Sequence, residues 1–241
     1  MVNSPTLSRN SCQLCGFVRL FDDHFQAFHT ELKPNTPYPD FGWVLDTADY
    51  LVRSDLPEHL KPPDAATAAS VLIPLFWHDN QWQVLFIRRV TNQRDHHSGQ
   101  VAFPGGRQDA SDTDNIATAL REAHEEIGLP ADKVQVIHVL DDYHTSSNYV
   151  VTPVVGIVPS VFDYKPQPSE VDRIFSIPLS WLGDESNVEL RDRLLKNLYV
   201  SRKVVYYDKY DGELLWGASA RMTVSLLQAL HTGSLVLPSK K

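Results

Sequence analysis

Cysteine is nearly absent: the chain of 241 residues contains two, Cys12 and Cys15. That excludes a fold held together by disulfides, and a lone Cys-x-x-Cys supplies only half of a four-ligand zinc site. Two free thiols, a zinc half-site completed by histidines and a redox pair all stay open for them. Long apolar runs are missing too. There is no stretch of about 18 consecutive apolar residues, and nothing near Met1 joins a basic segment to an apolar one, so the expectation is a cytoplasmic protein without a membrane partner. Positive charge is scarce: 22 Lys and Arg stand against 30 Asp and Glu, a net charge of −8. A sequence-independent grip on nucleic acid needs a dense basic face, so nucleic acid is not an expected partner. If the ligand carries phosphates, carboxylates beside it must act through divalent cations, which reverse the sign of the local field. No internal repeat or low-complexity segment occurs either, which removes solenoids and fibrous arrays.

What is present reads as an enzyme-sized globular chain, 42% hydrophobic and 22% charged. Residues 1–65 are rich in Pro, Asp and polar side chains and end in Lys61-Pro62-Pro63-Asp64, which reads as a linker because paired prolines stop regular structure. The expected organisation is an N-terminal extension over 1–65, carrying its own small helices, and a main domain over 66–241. A chain beginning near Asp64 is expected to fold. Val71–Trp77 and Trp82–Ile87 are β-rich runs around His78-Asp79-Asn80-Gln81, an antiparallel hairpin pattern. Further strands are predicted at 101–103, 134–140, 150–158, 174–177, 203–207 and 214–216. Helices are predicted at 115–127, with Thr113 or Asp114 as N-cap and Gly128 then Pro130 as stop signals, and at 218–231, ended near Gly233. Strands interleaved with long helices give the α/β class with a mixed sheet.

The first of these helices carries the chemistry. Ile116, Leu120, Ala123 and Ile127 recur at spacings of four, three and four and form an apolar stripe. At about 100° per residue, Glu122, Glu125 and Glu126 fall on an arc beside it. A solvated acidic face is the ordinary explanation of such a cluster. Against it, the three lie toward the helix C-terminus, where the macrodipole disfavours anions. Arg121 can pair with Glu125 one turn on. Upstream, Phe103-Pro104-Gly105-Gly106 is a turn whose glycines let backbone groups approach a ligand closely. Hard oxygen donors of this kind suit Mg²⁺ or Mn²⁺ and, through them, substrate phosphates.

The run from Gly106 through Asp112 to Arg121-Glu122-Ala123-His124-Glu125-Glu126-Ile127-Gly128-Leu129 resembles the Nudix box. That box reads Gly, five residues, Glu, seven residues, then Arg-Glu-apolar-any-Glu-Glu-any-Gly-apolar. Here Asp112 stands in place of the early Glu, and eight residues rather than seven separate it from Arg121. Within the superfamily, His97 followed by Gly99-Gln100-Val101-Ala102-Phe103-Pro104-Gly105-Gly106, together with the Asp and the longer spacing, resembles the coenzyme A diphosphatase branch. The stretch Asn92–His96 departs from it, holding Arg94 and Asp95 where a Leu is expected.

The resemblance implies a Nudix-type α/β/α sandwich with a mixed β-sheet plus the N-terminal extension. It also implies metal-dependent hydrolysis of a nucleoside diphosphate-linked compound, foremost coenzyme A or acyl-CoA, to 3′,5′-ADP and a 4′-phosphopantetheine product. An ADP-ribose or nucleotide-sugar pyrophosphatase is the alternative, and a catalytically silent Nudix-fold binding module a second. Mg²⁺ or Mn²⁺ would be held by Glu122, Glu125, Glu126 and the Gly106 carbonyl. Glu125, Glu126 and Arg121 would belong to the catalytic set, with Glu170, outside the helix, as candidate base. Arg88, Arg89, Arg94, His97, Gly105, Gly106 and Tyr149 are the expected substrate contacts, the arginines because planar guanidinium donors suit phosphate oxygens. Tyr149, Phe103 and Trp216 could stack an adenine or pack the sheet. The partner is a small nucleotide-derived molecule, and a homodimer is compatible with all of this.

Overall fold

The hairpin pattern and the two capped helices define the frame of the computed structural model, which describes residues 37–48, 66–91, 99–145, 147–195 and 200–239. Strands β1 (Thr67–His78) and β2 (Gln81–Arg89) pair antiparallel, with Leu75 opposite Val84. Asp79 and Asn80 make the connection at φ of 48° and 58°. Asn and Asp are the non-glycine residues that tolerate this region, and such a two-residue turn matches the twist of the flanking strands. β3 (Val101–Ala102) extends the sheet beside β2, and β4 (Gly105–Arg107) pairs with Ala69–Val71 of β1. β5 (Gln135–Val139) and β6 (Tyr143–His144) pair with β7 (Tyr149–Ile157), which runs parallel to β1. β8 (Val171–Pro178) closes on the other side of β2, antiparallel. The eight strands thus form one mixed sheet. A second, antiparallel sheet of three strands consists of β9 (Val188–Leu195), β10 (Val200–Tyr210) and β11 (Glu213–Trp216).

Helix α1 spans Gly42–Ala48, α2 Asn115–Ile127, the single turn α3 Leu179–Leu182 and α4 Gly217–Thr232. Strand β2 shows why the main sheet needs cover on both faces: Val84, Leu85, Phe86 and Ile87 are all buried, although successive side chains point to opposite sides. Leu85 and Ile87 meet Ala119, Ala123 and Ile127 of α2. Val84 and Phe86 share the other layer with Leu226, Leu227 and Leu230 of α4 and with Val205 and Tyr207 of β10. This is the α/β sandwich expected from the strand and helix pattern.

Two features depart from the sequence expectation. β9 was not predicted, because Val-Glu-Leu-Arg-Asp-Arg-Leu-Leu carries as many charges as apolar residues. Its pairing with the longer β10 overrides that composition. Residues 37–48, assigned from sequence to the extension, supply core: Phe41 and Val44 are fully buried against the α4 side. The Phe41 N–H donates to Gln228 Oε1 at 2.8 Å, and the Tyr38 carbonyl lies 2.8 Å from His231 Nδ1. A chain beginning near Asp64 would lack both side chains. Cys12 and Cys15 lie outside the described residues. No helix among those described is long and apolar enough to cross a membrane.

Candidate active site

Helix α2 begins at the expected place. Asp114 is the N-cap, its Oδ1 accepting from the Ala117 N–H at 2.7 Å, and Gly128 ends the helix in the left-handed region at φ 69°. Within these limits the glutamates occupy the last two turns. Ala119, Ala123 and Ile127 form the buried stripe, with Ile116 and Leu120 at its partly buried margin. Glu126, expected beside the stripe, is carried into it and is 2% exposed. Its Oε2 accepts from the Gly105 N–H at 2.9 Å, and its Oε1 faces Arg89 Nη1 at 3.8 Å. Burial pushes the Glu126 carboxyl up to about 7; the Gly105 N–H and Arg89 oppose the shift, while the charges of Glu122 and Glu170 add to it. Glu122 is raised as well, again mainly by burial, with Arg121 opposing.

The glycines upstream are there because space is. The Phe103–Gly106 stretch, expected as a turn, delivers Gly105 and Gly106 as strand residues of β4 against β1. A Cβ on Gly105 would stand 2.4 Å from the Ser70 carbonyl, and one on Gly106 would stand 2.6 Å from the Glu122 carboxyl. At Gly105 only a bare backbone fits this close against β1, whereas at Gly106 a Cβ would displace the Glu122 carboxyl.

Asp112, the substitution in the box, has a defined place. Its Oδ1 and Oδ2 accept from Arg121 Nε and Nη2, each at 2.9 Å. Its Oδ2 also accepts from Thr118 Oγ1 at 3.0 Å and from the Asp109 N–H at 2.8 Å. The Arg121 hydrogen bonds hold its carboxyl well below the usual carboxylate range. Arg121 continues to Glu122 Oε1 at 2.9 Å, Glu125 Oε2 at 3.0 Å and the Arg107 carbonyl at 2.9 Å. Its donors are thereby engaged inside the protein, and the side chain acts as a clamp joining loop, strand and helix. A shorter Asp in a longer loop reaches the guanidinium, a compensation the spacing contained but composition did not reveal.

Glu170 closes the turn 168–170 before β8 and is exposed. The turn is tied to the end of α2, since the Gln167 N–H donates to the Glu126 carbonyl at 2.8 Å, and the charge of Glu170 reaches both Glu122 and Glu126. Arg89 stands on this same face. Arg88, one residue before, points to the opposite face of the sheet, where Nε donates to Asp172 Oδ2 and Nη1 to Glu213 Oε1, both at 2.8 Å. The structure therefore does not bring Arg88 together with the acidic cluster. Tyr149 opens β7 and packs in the layer opposite α2. Phe103 is buried and stacks on Phe86, and Trp216 stacks on Tyr206 with centroids 5.4 Å apart, beneath the Arg193 guanidinium at 4.5 Å. Both therefore pack the protein interior or its sheet. Arg94 and His97 lie outside the described residues.

Among the described residues no three acidic, His or Cys side chains are already gathered into a coordination set, because Arg121 draws Glu122 and Glu125 to itself. The donor chemistry nevertheless fits a hard divalent cation. Carboxylates with suppressed ionisation converge on a backbone cradle that has no room for a Cβ.

The NUDIX domain profile matches residues 66–198. Nudix hydrolase NudL of Photorhabdus laumondii is 37% identical over 197 residues, covering 78% of this chain and all of that protein. The protein of the same name from Yersinia pestis is 38% identical over 160 residues, 66% of this chain and 78% of that one. Among solved structures, a Nudix hydrolase from M. smegmatis, RenU, superposes with a TM-score of 0.48 at 18% identity, covering 73% of this chain and 92% of the other. With the box helix, its clamp and its glycine strand all inside the matched segment, this chain belongs to the Nudix hydrolase family.

Proposed function

We propose that this Nudix hydrolase cleaves the phosphoanhydride bond of a nucleoside diphosphate-linked compound, with coenzyme A or acyl-CoA as its preferred substrate and 3′,5′-ADP and (acyl-)4′-phosphopantetheine as products. The observation that carries the reaction is Glu126. A carboxylate 2% exposed, with a second acidic group, Glu122, also raised by burial, costs folding free energy unless a cation uses it. Mg²⁺ or Mn²⁺ would be held by Glu122, Glu125, Glu126 and the Gly106 carbonyl. When bound, such ions neutralise the diphosphate and lower the pKa of coordinated water.

The chain's own groups supply the rest. Arg121 fixes the spacing of Glu122 and Glu125 from one guanidinium nitrogen, and the Gly105 N–H orients Glu126. Arg89, on the cluster's face, offers its guanidinium to a substrate phosphate. Glu170 takes the proton from the attacking water as the new P–O bond forms and the bridging P–O bond breaks.

The coenzyme A preference rests on the Gly99–Gly106 run, preceded by His97, and on Asp112 with its longer spacing, all of which resemble that branch. Arg89 and Arg94 give it a physical basis, because the 3′ phosphate is the charge that ADP-ribose lacks. The test is kcat/KM for coenzyme A, dephospho-coenzyme A and ADP-ribose with Mg²⁺ and with Mn²⁺, products identified. Coenzyme A is expected to exceed dephospho-coenzyme A by about ten- to hundredfold, the range of one desolvated charged contact. A faster rate with ADP-ribose overturns the substrate, and no cleavage of any of the three overturns the reaction.

A further inference from the structure

Strands β2 and β8 pair regularly from Gln83 opposite Pro178 to Arg88 opposite Arg173, and then the register slips: Arg89 stands opposite Val171. Asp172 is the extra residue of a β-bulge. The slip reverses the alternation of side chains on β8. Phe175 and Ile177 pack in the α4 layer, as Arg173 does through Glu213, so strict alternation would send Val171 there as well. Val171 instead packs with α2, and Asp172 lies with Arg88.

The bulge is held by ions. Arg88 grips Asp172 through both Nε and Nη2 and reaches Glu213 of β11 at 2.8 Å. Glu213, 6% exposed, also accepts from Arg173 Nη1 at 2.8 Å, and Arg173 pairs with Asp211. A nearly buried carboxylate between two guanidiniums ties the three-stranded sheet to this irregular point of the main sheet. Immediately beyond it the Glu170 carbonyl accepts from the Val90 N–H at 2.9 Å.

We infer that Arg88, Asp172 and Glu213 form a positioning device: they hold the β8 bulge so that Glu170 is presented to the acidic end of α2 while Arg89 stays on the same face. The inference rests on the proposed hydrolysis and on Glu170 as its base. It replaces the expectation that Arg88 contacts phosphate. Asp172 is half exposed, so Asp172→Ala removes the clamp at little risk to folding, and Glu213→Gln tests the buried end of the same network.

Two readouts decide it. In Asp172→Ala the Val90 amide is expected to exchange with solvent about tenfold faster or more. Its kcat is expected to fall about tenfold with KM within about twofold, Asp172→Asn recovering most of the loss. In a Glu170→Gln background the same change should cost no further kcat, because the residue it acts through is already disabled. Unchanged Val90 exchange in both network variants overturns the inference. So does a kcat loss that multiplies with Glu170→Gln, which marks a merely structural role, and so does a Glu170→Gln variant of normal kcat. If the wild-type protein cleaves none of the three diphosphates, the proposed function falls, and Val90 exchange alone decides whether the network holds Glu170.

Discussion

On the side of the main sheet that faces α4, the buried positions are filled by Ile73, Val84, Phe86, Leu226, Leu227 and their neighbours; the Tyr207 hydroxyl donates to the Leu182 carbonyl, and at the margin the nearly buried Glu213 is paired with Arg88 and Arg173. On the side that faces α2, Leu72, Leu85, Ile87 and Val154 form an equally dry layer, but Glu126 is sunk beside it and Glu122 crowds the Gly106 backbone. Away from Glu213, the first layer is what stability alone would select. The second gives up stability at one end of one helix, and that end is where the family's motif lies. A fold can therefore be read from the first layer and a function from the exceptions in the second.

Two substitutions separate the layers. The larger effect on turnover is expected from Gly105→Ala, whose new Cβ must push β4 off the Ser70 carbonyl and take the N–H away from Glu126. A loss of at least about a hundredfold in kcat is expected, as for a misplacement of about 1 Å at a reacting centre. Leu227→Ala, in the opposite layer at a fully buried position, is expected to cost about 2–5 kcal/mol of stability by denaturant titration. Its kcat per folded molecule should stay within about twofold. If Leu227→Ala lowered kcat as Gly105→Ala does, the two layers would not be functionally distinct.

Much of this is legible in the sequence alone. The α2 boundaries follow from Asp114 and Gly128, and the β1–β2 hairpin follows from Asp79-Asn80 between two β-rich runs. Local signals of this kind need no knowledge of the rest of the chain. What escaped is non-local. β9 is a strand because β10 lies beside it, and Phe41 is core because α4 offers Gln228 and an apolar face from far along the sequence. The direction of Arg88 follows from strand parity on β2, and that of Val171 and Asp172 from a bulge that β8 does not announce. The depth of Glu126 also escapes, because helical geometry gives an angle around the axis and says nothing of how deep the helix sinks.

The central claim is that the buried carboxylate of α2 is kept for hydrolysis at the expense of stability, and Glu126→Gln tests both halves at once. With saturating Mg²⁺ or Mn²⁺, kcat is expected to fall by about a thousandfold, as when one preorganised charge-stabilising group is lost. The stability half has a definite sign. Glu126 ionises near 4.5 when unfolded and is pushed up to about 7 when folded, so its favourable contribution is complete below about pH 4.5 and is lost as pH rises through 7. Denaturant titrations of the chelator-treated proteins should therefore find the variant gaining on the wild type across that interval and more stable above it. Near-normal turnover in Glu126→Gln, or a stability difference that does not change between pH 4.5 and pH 8, would contradict the account.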